Sequence, residues 1–300
     1  MTRAASSTGY RTTDVEVRGG TLHTALWGPD DPLAPTILAV HGVTASHKAW
    51  PYLAEALPNT RIIAPDLRGR GRSNTLPGPY GMPTHAQDLA GVLGALTTGP
   101  VVVVGHSMGA FASVVLANLF PELVRSLVLV DGGLPLQVPA GISDEDVVAA
   151  VLGPAAERLN STFPSREVYR SFWRQHPAFS DWDQFVEEYV DYDLTGEEPE
   201  LRPATSYQAM AEDTAELHRG ASLLKALDEL AVDTRVLRAP RGLLNEPAAL
   251  YAPGYLDEWA GKLPSLRVRE VPDVNHYTIV MGQAGARAVA ESVQEALAVR

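Results

Sequence analysis

Short runs of consecutive apolar residues recur along this chain. Between them lie stretches in which apolar positions return every three or four residues. The first pattern marks a strand buried on both faces, the second an amphipathic helix packed against it. Thr36–Val40, Arg61–Ala64, Val101–Val104, Ser126–Val130, Thr234–Leu237 and Leu266–Val271 are of the first kind. Helices are expected over Lys48–Leu57, Thr84–Leu96, Met108–Phe120, Pro253–Leu263 and Ala284–Val299. Two alternating segments, Asp14–Arg18 and Leu22–Trp27, come first, and Gly19-Gly20 between them predicts an antiparallel pair. The first dozen residues read as a flexible leader. Strands alternating with helices predict an α/β fold, a mostly parallel sheet flanked by helices.

From about Leu134 to Asp233 the pattern changes. The chain there is polar, helical in period, and rich in aromatic and acidic residues. This predicts a helical cap inserted at 134–233 into a core formed by 1–133 and 234–300. Tyr169 with Trp173, and Phe185 with Tyr189, are i,i+4 partners on helix faces. Most of the cap aromatics are expected to pack the cap onto the core rather than touch substrate. Glu187, Glu188, Asp191, Asp193, Glu197, Glu198 and Glu200 read as a solvated face, with no metal-ligand spacing among them.

In parallel sheets ligands bind at the carboxyl ends of the strands. Several polar groups fall there: His41-Gly42-Val43-Thr44, Asp66, Ser107, Asp131 and the loop Pro272–His276. The strongest signal is Gly105-His106-Ser107-Met108-Gly109, a G-x-S-x-G pentapeptide between the Val101 strand and the helix that follows. A serine so flanked can sit on a sharp strand-to-helix turn that pushes its hydroxyl into a cleft. The turn also aims the first amides of the helix at whatever the serine attacks.

A serine hydroxyl needs a base to become a nucleophile, usually a histidine oriented by a carboxylate. For this turn the chain order is serine, acid, histidine. Of the eight histidines, His276 alone comes late enough, in a loop between the last strand and the last helix. Strand alternation turns His106 away from the serine that it precedes.

Composition narrows the chemistry further. The net charge is −12, so nucleic acid is an unsuitable partner, and no basic cluster suggests an anionic membrane. With no cysteine, thiol nucleophiles, disulfides and cysteine-bound metals are excluded. The polar first fourteen residues lack the apolar core of a secretory signal, and no apolar run is long enough for a membrane helix. A cytoplasmic enzyme with a small-molecule substrate, no metal and no cofactor is the expectation.

The chain resembles the α/β-hydrolase superfamily over nearly its whole length. The resemblance is carried by His41-Gly42, by Asp66-Leu67-Arg68-Gly69-Arg70-Gly71-Arg72-Ser73, by Gly105–Gly109 and by Val274-Asn275-His276-Tyr277. It implies Ser107 as nucleophile and His276 as base, and an oxyanion hole made of the backbone N–H groups of Met108 and Val43. The D-x-R-G-x-G-x-S stretch is expected to shape a loop beside the site. The usual family position for the acid is the loop after Arg235–Arg238, where Glu246 is available. Some members carry it after the strand that follows the nucleophile helix, where Asp131 stands. Both remain open at this stage, with Asp131 favoured because its strand adjoins that of Ser107.

The resemblance implies a cofactor-free serine hydrolase acting on an ester-like bond of a small apolar substrate. Lactone, thioester or carbon–carbon bond hydrolysis and perhydrolysis could use the same groups. A ligand-binding or sensing protein with a hydrolase pocket is the alternative of another class.

Overall fold

A computed structural model of the chain describes residues 9–137 and 157–299. One sheet of eight strands organises it: β1 (Arg11–Val17), β2 (Gly20–Trp27), β3 (Thr36–Val40), β4 (Arg61–Pro65), β5 (Val101–His106), β6 (Val124–Val130), β9 (Thr234–Arg238) and β10 (Leu266–Glu270). Their spatial order is β1-β2-β4-β3-β5-β6-β9-β10. The pairs β1/β2 and β2/β4 are antiparallel, and all others in this sheet are parallel.

The buried valines of β5 show why the apolar runs fold this way. Val101 and Val103 face one hydrophobic cluster, Val102 and Val104 the other, as a period of two requires. On the first side lie α2 (Met82–Leu96) and α3 (Met108–Leu119), through Leu89, Val92, Phe111 and Val115. On the second lie α1 (Pro51–Ala56) and α10 (Gln283–Ala298), through Leu53, Val289 and Val293. With both faces covered, each central valine contributes about 1.5 kcal/mol or more by leaving water.

Two expectations near the N-terminus shift. β1 begins at Arg11, so part of the expected leader is strand, held in register by Arg11 opposite Leu26. The helix expected from Lys48 starts as a single 3-10 turn, His47–Ala49, and becomes α-helical only at Pro51. Proline suits a first helical position because its missing N–H would have no partner there.

Between β6 and β9 the chain adds no strand to the main sheet among the described residues. Part of the expected cap, 138–156, lies outside the described residues. The remainder holds α4 (Arg166–Arg174), α5 (Gln184–Tyr192), a two-residue ladder of β7 (Leu194–Thr195) with β8 (Arg202–Pro203), α6 (Tyr207–Arg219) and α7 (Ala221–Asp228). Helix α7, within the stretch expected as cap, sends Leu223, Ala226 and Leu227 into the cluster that contains α3. By packing it serves as the helix that crosses from β6 to β9. After α8 (Tyr255–Lys262) and β10, a single short turn of helix, α9 (Thr278–Met281), precedes α10; the sequence pattern did not reveal it.

Tyr169, Trp173, Phe179 and Tyr189 are buried, while Phe172 is exposed. Tyr169 and Trp173 meet edge to face at 6.4 Å between ring centres. Phe179 reaches Tyr277 at 5.3 Å and Phe185 meets Tyr52 of α1 at 4.9 Å, so the stretch expected as cap touches the rest of the chain through aromatic rings. The acids do not form one solvated face. Glu187 and Asp191 pair with Arg170, Glu188 pairs with Lys48, and Asp193 is buried against Arg158 and Tyr169. Burial raises the pKa of Asp193, against the pull of Arg158.

The chain runs from β3 outward to β4, then returns to lay β5 on the opposite side of β3. Connections therefore diverge between β3 and β5, and a crevice opens at their carboxyl ends. The loops after these two strands carry Val43 and Ser107.

Candidate active site

Ser107 follows β5 with φ 52° and ψ −127°, a conformation that L-residues rarely adopt. Its N–H donates to the Val130 carbonyl at 3.0 Å, and its own carbonyl accepts from Ala110 N–H at 2.9 Å. The turn is too tight for side chains at the flanking glycines. A Cβ on Gly105 would lie 2.5 Å from the Gly109 carbonyl oxygen, and one on Gly109 would lie 2.1 Å from that of Val40. Met108 is the first residue of α3, so its N–H has no acceptor within the helix.

The loop after β3 approaches from the other side of the crevice. A Cβ on Gly42 would stand 3.6 Å from Ser107 Oγ. His41 is fully buried and its tautomer is set from both sides. Leu67 N–H donates to Nε2 at 2.9 Å, which leaves the Nδ1 proton to bond the Gly42 carbonyl at 2.8 Å. Burial lowers its pKa to about 4, against the attraction of Asp66, so the ring is neutral at physiological pH. The Gly42 carbonyl belongs to the same peptide as the Val43 N–H. His41 therefore fixes the plane in which that N–H points, a role that the sequence pattern did not reveal.

Asp131 follows β6 with φ 45°. Its N–H donates to the Leu237 carbonyl at 2.7 Å, and its Oδ1 accepts from Ala239 N–H at 3.0 Å. Its Oδ2 lies 2.7 Å from His276 Nδ1, and both side chains are buried. Glu246 is bound elsewhere: its Oε2 accepts from Leu244 N–H at 2.7 Å, within its own loop.

The loop of His276 is shaped by Asn275. Its Oδ1 accepts from the N–H groups of Tyr277 and Thr278 at 3.0 and 2.9 Å, and its Nδ2 donates to the Ala178 carbonyl at 3.0 Å. His106 is not turned out of the site, contrary to the expectation from alternation. It lines the same cleft as Ser107, its Nε2 donates to the His276 carbonyl at 2.8 Å, and the two rings lie 4.8 Å apart. The strand ends at His106 and the chain reverses at Ser107, so the period of two stops where the turn begins. Burial, with His276 nearby, pushes the His106 pKa well down.

The D-x-R-G-x-G-x-S stretch forms a buried polar frame. Asp66 accepts from His47 N–H and Nδ1, both at 2.9 Å, from Arg72 N–H at 2.9 Å and from the Tyr192 hydroxyl at 2.7 Å. Burial opposes its charge, but His47 and these donors hold its carboxyl well below the usual range. Arg68 grips Asp88 through two bonds of 2.8 Å.

Ser107, His276 and Val43 line one cleft. The Met108 side chain is fully buried and does not line it. Apolar groups make up most of the wall, among them Phe111, Leu136, Leu217, Leu243 and Met281. No Lys, Arg, Asp or Glu occurs among the described residues that line it. Among the described residues no helix is long and apolar enough to cross a membrane.

A strained serine at a sharp strand-to-helix turn, at the reversal point of a mostly parallel sheet, is the kind of elbow found in one class of α/β proteins. The chain belongs to the alpha/beta hydrolase fold family, whose model matches residues 35–240. Lipase LipV of Mycobacterium tuberculosis is 40% identical over 131 residues, covering 44% of this chain and 48% of that protein. The 2-(acetamidomethylene)succinate hydrolase of Mesorhizobium japonicum is 37% identical over 98 residues, covering 32% and 35%. The chain thus spans about half or less of the curated relatives that it matches. A crystal structure of E-2-(acetamidomethylene)succinate hydrolase superposes with a TM-score of 0.78 at 23% identity, covering 95% of this chain and 98% of that one. A thermophilic esterase from Thermogutta terrifontis gives 0.65 at 24% identity, covering 95% and 99%. At such identities these two structures show the fold.

Proposed function

We propose that this chain is a cofactor-free serine hydrolase that cleaves an ester-like bond of a small, uncharged, largely apolar substrate. The observation that carries the proposal is the joint one at the cleft. An elbow serine and a histidine held at Nδ1 by a buried carboxylate open into the same apolar space. Ser107 Oγ attacks the carbonyl carbon while His276 Nε2 takes its proton. Asp131 keeps the other ring proton on Nδ1 and offsets the charge of the imidazolium. The Val43 and Met108 N–H groups receive the oxyanion, an interaction worth several kcal/mol when preorganised. As the tetrahedral adduct collapses, His276 returns the proton to the leaving alkoxide. Water, deprotonated by the same ring, then cleaves the acyl-enzyme and regenerates Ser107. The insertion acts as a cap, closing the cleft with Tyr189 and Leu217.

The wall favours one of the chemistries named for the relatives. A succinate derivative would bring carboxylates into a cleft with no cation among its described lining residues, and an unpaired buried charge is costly. An acyl chain of the kind a lipase takes needs no such partner.

Reaction with a fluorophosphonate probe and a series of p-nitrophenyl esters of graded acyl length tests the reading. Mass spectrometry is expected to locate one adduct at Ser107. Ser107→Ala is expected to fold normally and keep about a thousandth or less of native kcat. Labelling elsewhere only, or turnover by the alanine variant above about a tenth of native, would overturn it.

A further inference from the structure

We propose that Arg70 is a positioning residue for the oxyanion donors, and that through Asp213 it makes their alignment depend on the docking of helix α6. The inference rests on the serine-hydrolase reading given above. Arg70 occupies a position that the motif D-x-R-G-x-G-x-S leaves open, so neither loop geometry nor the motif demands an arginine there.

Its side chain is fully buried. A guanidinium has five N–H donors, and each of the three nitrogens of Arg70 has a polar partner. Nε donates to the Val43 carbonyl at 2.9 Å. Nη1 donates to the Arg68 carbonyl at 2.9 Å and pairs with Asp213 Oδ2 at 2.5 Å. Nη2 faces the Ala209 carbonyl at 3.3 Å and the Met108 sulfur at 3.7 Å. One side chain thus touches both residues whose N–H groups are assigned to the oxyanion, and both of its contacts in the insertion lie on α6.

The consequence for Val43 is geometric. The carbonyl preceding its N–H, that of Gly42, is held by His41. The carbonyl following it, its own, is held by Arg70. With both flanking peptides pinned, the direction of the Val43 N–H is set before substrate arrives. Oxyanion donors act through such preorganisation, and a displacement of about 1 Å can cost a factor of about a hundred in rate.

Asp213 completes the device. It also accepts from Gly81 N–H at 2.6 Å and from His85 Nε2 at 2.9 Å. Burial works against its charge, but His85 and Arg70 hold its carboxyl down at about 2. A buried ion pair adds little net stability compared with apolar packing of the same volume. Four hydrogen bonds and an ion pair fix geometry in a way that apolar contacts at this position would not.

The test uses Arg70→Met, which keeps the stem and removes the donors, and Asp213→Asn, which keeps the shape and removes the pair. Each is compared with the native chain on p-nitrophenyl butyrate. Inhibition is measured with a trifluoromethyl ketone, which forms a tetrahedral oxyanion on the serine, and with the matching secondary alcohol, which forms none. For Arg70→Met, kcat is expected to fall about 10- to 100-fold with KM changed less than about threefold. Affinity for the trifluoromethyl ketone should fall by a similar factor, and affinity for the alcohol should stay unchanged. Asp213→Asn should show the same pattern at smaller size, and it alone decides the matter if Arg70→Met does not fold. A lowered Tm with native kcat and native trifluoromethyl ketone affinity would overturn the proposal and leave Arg70 as a staple between insertion and core. If the native chain neither turns over the ester nor binds the trifluoromethyl ketone, the hydrolase reading itself fails.

Discussion

The carboxylate of Asp131 meets the imidazole of His276 at 2.7 Å, across 145 positions of sequence. Its other oxygen is taken by Ala239 N–H, so the carboxylate cannot swing away without abandoning a buried donor. Glu246, the other carboxylate available at this edge of the sheet, is bound within its own loop.

Asp131→Asn is therefore expected to lower kcat by about three to four orders of magnitude. The amide cannot stabilise an imidazolium, and its NH₂ group would favour the wrong tautomer. Glu246→Gln should change kcat less than about threefold. Steady-state kinetics on one p-nitrophenyl ester separate the two. A larger effect at Glu246 would refute the assignment.

Gly42→Ala probes the approach of the β3 loop to Ser107. The added Cβ would lie 3.2 Å from Ser107 Cβ, tighter than ordinary contact, and 3.5 Å from His106 Nδ1, an ordinary contact. The acylation rate is expected to fall by about tenfold or more, because the space over the hydroxyl is where the carbonyl must sit. Tm should change little. Pre-steady-state release of p-nitrophenol checks this, and a native burst rate would contradict it.

Leu243→Trp fills the cleft from a side chain that is only partly buried, so the larger group has room to adjust. The ratio of kcat/KM for octanoate over acetate esters should drop by about tenfold or more. An unchanged ratio would mean that acyl chains run along another wall.

Three histidines predict an acid-sensitive fold. Burial lowers His41 and His176 from 6.5 to about 4, and His106 well below 6.5. These rings are neutral when folded and charge more readily when unfolded, so the unfolded chain binds more protons between about pH 4 and 6.5. Stability is then complete above about 6.5 and declines as pH falls toward 4. For His41 alone the loss is on the order of 3 kcal/mol. The lowered carboxylates Asp66 and Asp213 act in the same direction but only below about pH 4, where their unfolded forms begin to protonate. Urea unfolding at a series of pH values should show the slope, and His41→Asn should flatten it. A stability independent of pH across this window would refute the neutral rings.

Much of this protein was legible from local pattern. A buried strand declares itself by consecutive apolar residues, and the expected strands lie within a few residues of those observed, from Thr36–Val40 to Leu266–Glu270. The elbow at Ser107 was legible because its steric demand, two glycines around a strained residue, is met within five positions. His276 was reachable from chain order alone. What depended on the tertiary structure is what depends on strand order and on side-chain direction. Only the reversal between β3 and β5 brings Val43 beside Ser107, and nothing local to either loop encodes that adjacency. Two carboxylates were open for His276, and Asp131, its N–H held by Leu237 and its carboxylate by Ala239 at the end of the neighbouring strand, is the one that reaches it. Asp193 read as solvated because its own neighbours are acidic, yet Arg158 and Tyr169 bury it. Arg70 looked like one of three loop arginines until its guanidinium met partners from four segments of chain. A periodic pattern reports which face of an element is buried. It does not report which distant group waits there, because that is fixed by how the elements pack.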